Sequence, residues 1–286
     1  MGQVLGVIGG SGLYQMPGLS NVEEIVVDTP WGEPSDALIK GQLGETTLLF
    51  LPRHGRGHRI PPSAINYRAN VWALKSQGAT HVLSVSAVGS LREEIAPGEL
   101  VVVDQFIDRT QRRAGSFFDE LIAAHVSMAD PVCPLLAKAV AEAARSTEAR
   151  VHEGGTYVCI EGPRFSTRAE SHMFRSWDCS VVGMTNVPEV FLARELELPY
   201  ATLALATDYD CWRSHDASVD ITDILAILKS NVSRAQETVR ALAALLPDAA
   251  HSPASRALEF ALLTDRDRIP AKVRERFSPL FAKYGW

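Results

Sequence analysis

Apolar residues in this chain fall into two rhythms, short runs and helical stripes. Short β-branched or apolar runs recur at Val4–Gly9, 37–40, 47–51, 81–86, Leu100–Val103, Thr156–Ile160, 180–184 and 201–206. Runs of this length bounded by turn residues predict strands. Between them the spacing changes. Ile65, Ala69, Trp72 and Ala73 follow i, i+4, i+7, i+8 behind Pro62-Ser63, and Gly78 supplies a stop, so a helix is expected to open at Pro62. Thr167-Arg168-Ala169-Glu170 predicts a capping box. Asn186-Val187-Pro188 starts another helix with proline in its first turn. Ile221, Ile224, Leu225 and Leu228 mark one face of a longer helix over about 220–246.

The pairing of 37–40 with 47–51 across Gly41-Gln42-Leu43-Gly44 predicts a hairpin. A sheet containing it is mixed rather than purely parallel. The expected fold is therefore α/β, a single domain with a central mixed β-sheet flanked by helices. The body spans 1–248. A tail, 249–286, is interrupted by Pro253, Pro270 and Pro279 and is expected to pack as short helices on the same domain or on a neighbouring subunit.

Composition narrows the function classes. The chain has 286 residues, 46% of them hydrophobic, and a net charge of −6. That is ample for a large core and gives no long basic run for nucleic acid. Arg53 to Arg59 and Arg109 to Arg113 form short cationic clusters that suit a small anion better than a duplex. No stretch of 18 apolar residues predicts a membrane span, and no leader pattern is read at the start. Four cysteines without CxxC spacing fit reduced thiols in a cytoplasmic protein, not a zinc site.

The candidate chemistry sits where strands end. Leu203 to Ala206 runs into Thr207-Asp208-Tyr209-Asp210. Residues i and i+2 of a strand share a face, so an extended chain would aim both carboxylates into the crevice at the strand's C-terminal end. Two acids there suit a nitrogen-rich ring; a helix cap or solvated turn is the plainer alternative. Gly9-Gly10-Ser11-Gly12 can bring amides and a hydroxyl to an anion, or form a simple tight turn. Arg53 offers a planar donor fork, with His54 beside it as a second donor. Ser86-Ala87 and Thr185 end two further strands and add hydroxyls and amides. Phe165, expected between a Gly162-Pro163 turn and the Thr167 cap, can stack on a base or fill the core. Met184 is apolar and adaptable enough to lie against a sugar. Together these stations suggest phosphate, sugar and base.

The same stations, in this order, resemble the purine nucleoside phosphorylase family in its trimeric, methylthioadenosine-cleaving branch. The likeness runs from about Val4 to Leu245 and rests on VIGGSG (7–12), DTPWGEPSDA (28–37), PRHGRGH (52–58), NYRANVWALK (66–75), GSLREEIAPG (89–98), DQFIDRT (104–110), EGPRFSTRAES (161–171), MTNVPEV (184–190) and ATDYDCW (206–212). The resemblance implies phosphorolysis of 5′-methylthioadenosine to adenine and 5-methylthioribose 1-phosphate. It needs no cofactor, inorganic phosphate being a co-substrate. It implies a phosphate site of Ser11, Arg53, His54, Ser86, Ala87 and Thr185. Phe165 and Ser166 would border the base, and Met184 would pack on the ribose. Asp208 and Asp210 would face the purine N7 and 6-amino edge. Ile221, Ile224 and Leu225 would line the methylthio pocket, with His125 reaching a neighbouring subunit of a homotrimer. Gly183 stands where some relatives carry asparagine.

Chemistry supports that assignment. A purine leaves readily when an acid protonates N7, help worth about 10²–10⁴-fold. Asp208 is the expected acid, with Asp210 in support. A carboxylate also accepts from a 6-amino group and repels a 6-oxo group. The closest alternative is a 6-oxopurine nucleoside or methylthioinosine phosphorylase. A water-using nucleosidase and a non-catalytic purine-binding protein are the others.

Overall fold

The computed structural model describes residues 2–10, 12–119, 121–213 and 221–285, with the helix side chains at 221–225 and 228 outside that description. Eleven strands are present among the described residues: β1 (Val4–Gly9), β2 (Ser20–Ile25), β3 (Leu38–Leu43), β4 (Thr46–Pro52), β5 (His81–Ser90), β6 (Leu100–Val103), β7 (Gln105–Arg109), β8 (Val151–Glu153), β9 (Thr156–Ile160), β10 (Val181–Gly183) and β11 (Tyr200–Asp208). Helices α1 (Tyr67–Ser76), α2 (Pro134–Ala144), α3 (Arg168–Ser176), α4 (Glu189–Glu195), α5 (Ile221–Ala243), α6 (Ala271–Arg276) and α7 (Ser278–Phe281) alternate with or follow them.

All strands join one mixed sheet. Its main path runs β2-β3-β4-β1-β5-β10-β9-β7, and β11, β6 and β8 branch from β5. Strand β5 is the pivot. From Val82 to Gly89 it pairs in parallel with β11. At Gly89 and Ser90 it also pairs, antiparallel, with β10. The sheet therefore opens where β10 and β11 diverge from the end of β5. A crevice at such a branch is where an open α/β sheet holds ligands.

Period-two alternation explains the core. In β4, Leu48 and Phe50 enter one apolar layer while Leu49 and Leu51 enter the other. In β11, Leu203 and Leu205 face one side and Ala204 and Ala206 the other. Helices α1 and α4 cover the face of Leu49, Leu51, Ala204 and Ala206 with Val71, Leu74, Val190 and Leu192. Helices α2 and α5 cover the face of Leu48, Phe50, Leu203 and Leu205 with Leu136, Val140, Val239 and Leu242. Burial on both faces is why these strands read as apolar runs rather than alternating ones.

Local signals behave as their chemistry requires, with one shift. The Thr167 box forms: Glu170 N–H donates to Thr167 Oγ1 at 3.2 Å, and Thr167 N–H to Glu170 Oε2 at 2.7 Å. Pro62 opens only a short 3-10 turn, Pro62–Ala64. The helix proper starts at Tyr67, where Asn66 Oδ1 accepts the Ala69 N–H at 3.1 Å. An asparagine that can cap takes the boundary from a proline that merely tolerates it. Pro188 likewise sits just before α4 rather than inside its first turn.

The C-terminal segment packs on the chain's own body. Phe277 lies 5.7 Å from Trp31 and 6.2 Å from Trp72, ring centre to ring centre. Ile269, Val273, Leu280 and Phe281 join the same apolar layer as α1 and α4. Glu197 ties the segment down, accepting from Leu258 N–H at 3.0 Å, from Lys283 Nζ at 2.9 Å, and from the Tyr284 hydroxyl.

Candidate active site

Asp208 and Asp210 come together at the end of β11, though not by strand alternation. Asp208 is the strand's last residue, and a bulge interrupts the β5 pairing between Ala206 and Asp208. Asp210 adopts φ +49°, so the extended conformation does not persist. Its N–H turns back onto Asp208 Oδ1 at 2.7 Å. The pair is thus set by a side-chain-to-backbone turn, for which aspartate is well suited. Both acids lie against Gly89 of β5: a Cβ there would stand 3.1 Å from Asp208 Oδ1 and 3.2 Å from Asp210 Cβ. The bare glycine is what lets the acids close on the strand. Burial holds the Asp210 carboxyl above the usual carboxylate range, and the nearby charge of Asp208 pushes the same way.

A hydroxyl cluster occupies the adjoining strand ends. Ser86 Oγ on β5 lies 3.2 Å from Thr185 Oγ1, just past β10, and 3.2 Å from the Tyr157 hydroxyl on β9. Thr185 N–H also points to Tyr157 Oη at 3.4 Å. Ala87 is exposed beside them. Sequence spacing had no means of finding Tyr157, because β9 reaches this point only through β10. Its partner in shape is Gly183: any Cβ at 183 would collide with the Tyr157 hydroxyl.

Arg53 follows β4 and is almost fully buried. Its fork is largely committed. Nε and Nη2 donate to both Glu189 oxygens at 2.9 and 3.1 Å, Nη2 to Ser84 Oγ at 2.5 Å, and Nη1 to the Val85 carbonyl at 3.0 Å. Among the described residues one Nη1 hydrogen is left over, so Arg53 presents a single oriented donor, not an open fork. Glu189 is completely buried at the start of α4 and also accepts the Tyr200 hydroxyl at 2.9 Å. Asn186 extends the network to Tyr200 and Thr202, at 3.0 and 2.5 Å. Glu189 was missed from sequence; its apolar neighbours in MTNVPEV gave no sign of a buried carboxylate, although an acid beside a proline-led helix start was visible.

His54 is neutral, its pKa pushed down to about 4 chiefly by burial. Nδ1 lies 2.9 Å from the Ile60 carbonyl, which only accepts. The ring hydrogen therefore sits on Nδ1, and Nε2 presents a lone pair. At Nε2, His54 is therefore an acceptor rather than the second donor expected. It stacks on His58 at 4.1 Å.

Around the acids, Cys211 Sγ donates to the Ser166 carbonyl at 3.3 Å. Ser166 Oγ is buried without a hydrogen-bond partner among the described residues. Phe165 is 78% exposed rather than wedged between turn and cap. Met184 is half-buried against Gly162. His125 stands apart on an exposed segment, its N–H on the Ala261 carbonyl at 2.8 Å. Ser11 lies outside the described residues; Ile221, Ile224 and Leu225 belong to α5, with side chains outside them. Among the described residues no cluster of three or more His, Cys, Asp or Glu is arranged to hold a metal, and no helix is long and apolar enough to cross a membrane.

A branched mixed sheet with acids, hydroxyls and a buried arginine gathered at its strand ends defines a phosphorylase-type site, and residues 4–244 match the model of the phosphorylase superfamily. The chain belongs to that superfamily and, within it, to the S-methyl-5′-thioadenosine phosphorylase family. It is 51% identical over 285 residues to the S-methyl-5′-thioadenosine phosphorylase of Geobacter sulfurreducens, covering 99% of this chain and all of that one. It is 52% identical over 263 residues to that of Hyperthermus butylicus, covering 91% and 95%. Among solved structures, a methylthioadenosine phosphorylase from an Antarctic soil metagenomic library superposes with a TM-score of 0.92 at 44% identity, over 97% and 98% of the two chains. The Schistosoma mansoni methylthioadenosine phosphorylase in complex with adenine gives 0.80 at 40%, over 85% and 92%.

Proposed function

We propose that this chain cleaves the glycosidic bond of 5′-methylthioadenosine with inorganic phosphate, giving adenine and 5-methylthioribose 1-phosphate. The observation that carries this reading is the juxtaposition along β5. The Asp208–Asp210 pair meets the strand at Gly89, and the Ser86–Thr185 hydroxyls meet it three residues earlier. A purine edge and an anion are thereby served from one strand end.

In this reading Asp208 protonates N7 and Asp210 receives the 6-amino group, the two acting as a coupled pair. Ser11, Arg53, His54, Ser86, Ala87 and Thr185 hold phosphate below C1′, where it steadies the cationic sugar before bonding to it. Neutral His54 accepts the remaining phosphate hydrogen. Phe165 and Ser166 cover the base and Met184 the ribose. Ile221, Ile224 and Leu225 receive the methylthio group. His125 serves a neighbouring subunit's pocket in a cytoplasmic homotrimer, and no cofactor beyond the co-substrate phosphate takes part. A 6-oxopurine fits less well, since its O6 would meet carboxylates instead of donors.

Product analysis tests the reading. Purified protein given methylthioadenosine and phosphate is expected to release adenine and form the 1-phosphate ester. Equal release without phosphate identifies a nucleosidase, and faster turnover of methylthioinosine identifies a 6-oxopurine enzyme; either result overturns the proposal.

A further inference from the structure

Thr207 sits in the bulge that ends the β5–β11 pairing and is itself buried. Its hydroxyl oxygen lies 3.1 Å from the Val88 carbonyl and 2.7 Å from Asp208 Oδ2. A threonine hydroxyl has one hydrogen and two lone pairs. A carbonyl oxygen only accepts. If the hydroxyl hydrogen lies on Val88, the short contact to Asp208 needs a hydrogen from the acid. If Asp208 is ionised, the hydroxyl must turn and donate to it. Both protonation states of Asp208 therefore find a complete hydrogen bond at the same oxygen position, and only the hydroxyl hydrogen moves.

We infer that Thr207 is a positioning residue for the acid step, a hydroxyl rotor that swings from Val88 O to Asp208 Oδ2 when the acid's hydrogen turns to the purine. The inference rests on the phosphorolysis proposed above. The balance is as follows. The Asp208 O–H bond breaks and an N7–H bond forms. The C1′–N9 electron pair passes to the purine, and a phosphate oxygen lone pair forms the C1′–O bond. The acid's hydrogen turns from Thr207 to N7 as the purine docks, and the threonine hydrogen takes its place on Oδ2. Meanwhile Oδ1 keeps the Asp210 N–H at 2.7 Å. The new carboxylate is thus born with two donors already in place, which is how a preorganised site lowers a barrier.

The bulge makes this possible. Consecutive residues of a regular strand point to opposite faces, so Thr207 and Asp208 would not meet. An irregularity at 206–208 re-aims one of them, a recognised use of bulges beside active sites. Among the described residues, other ionisable groups near the acid are few. Asp210 follows it in the turn, Cys211 lies 3.8 Å from Asp210 Oδ2, and Arg168 holds the Cys211 carbonyl at 3.2 Å. From β5 and β10 the acids meet Gly89 and Val182, which do not titrate.

The test compares Thr207→Val, which keeps the shape and loses the hydroxyl, with Thr207→Ser, which keeps the rotor. In Thr207→Val, kcat for methylthioadenosine is expected to fall about ten- to hundredfold, the worth of a hydrogen bond to a charged group. KM for phosphate is expected to stay within about twofold, because no phosphate residue is touched. The alkaline limb of the kcat/KM profile is expected to move to higher pH, since the ionised acid has lost a donor. Thr207→Ser is expected to restore rate and profile. A merely structural threonine would lower activity equally at every pH and gain nothing from serine; that outcome, or an unaltered Thr207→Val enzyme, overturns the inference while leaving phosphorolysis intact. A wild-type protein that releases no adenine with phosphate overturns both.

Discussion

Tyr157 is wholly buried, yet its hydroxyl touches two residues of the hydroxyl cluster. Burial pushes its pKa up to about 12, so it stays a neutral donor and acceptor across the working range. Tyr157→Phe keeps the ring's packing and removes only the bridge between Ser86 and Thr185. A neutral hydrogen bond is worth about 1 kcal/mol, so KM for phosphate is expected to rise about fivefold while KM for the nucleoside holds; initial-rate measurements with each substrate varied in turn check this. The acids show what single residues reveal in a sequence and what they conceal. The i, i+2 spacing correctly marked Asp208 and Asp210 as neighbours, for the wrong reason. A left-handed Asp210 and its N–H bond join them, and one-dimensional spacing does not distinguish that turn from an extended strand. The committed fork of Arg53 was equally hidden, because its partner Glu189 lies 136 positions away.

At the scale of elements, α4 is a clamp as well as a wall. Glu195 in its last turn accepts the Ser116 hydroxyl at 2.8 Å and the Phe117 N–H at 2.7 Å, fastening the segment that leads to His125. Burial raises the Glu195 carboxyl to about 7 despite those two bonds. The sign follows from linkage. A carboxyl raised above its unfolded value holds more protons in the folded chain, so stability falls as pH rises from the unfolded pKa of about 4.5 towards 7. Glu195→Gln removes that titration and is expected to flatten the change of Tm between about pH 5 and 7, measured by thermal melts across the range. Elements also set the limits of sequence reading. The apolar strands β1, β6 and β9 were legible end to end because both faces are buried. Strands β2, β7 and β8 were not. Residues 20–25 are polar and mostly exposed at the sheet edge, and Val151–Glu153 offers three residues with a single apolar one. Edge strands hold their place by backbone pairing, which leaves little trace in hydrophobicity.

For the whole molecule, the C-terminal segment completes one of the two apolar layers. Phe277 contacts Trp31, Trp72, Phe118 and Phe281 and is 1% exposed. Truncating a buried phenylalanine costs about 3–5 kcal/mol, so Phe277→Ala is expected to lower the denaturant midpoint markedly in an equilibrium urea unfolding experiment. The proline-punctuated sequence announced short helices, but only the folded chain reveals that they cap the layer built by α1 and α4. This arrangement also furnishes a built-in optical probe. Two indoles flank the docking ring, so loosening of the tail would alter intrinsic tryptophan emission without any attached dye, and the seating of the last helices can be followed by fluorescence alone.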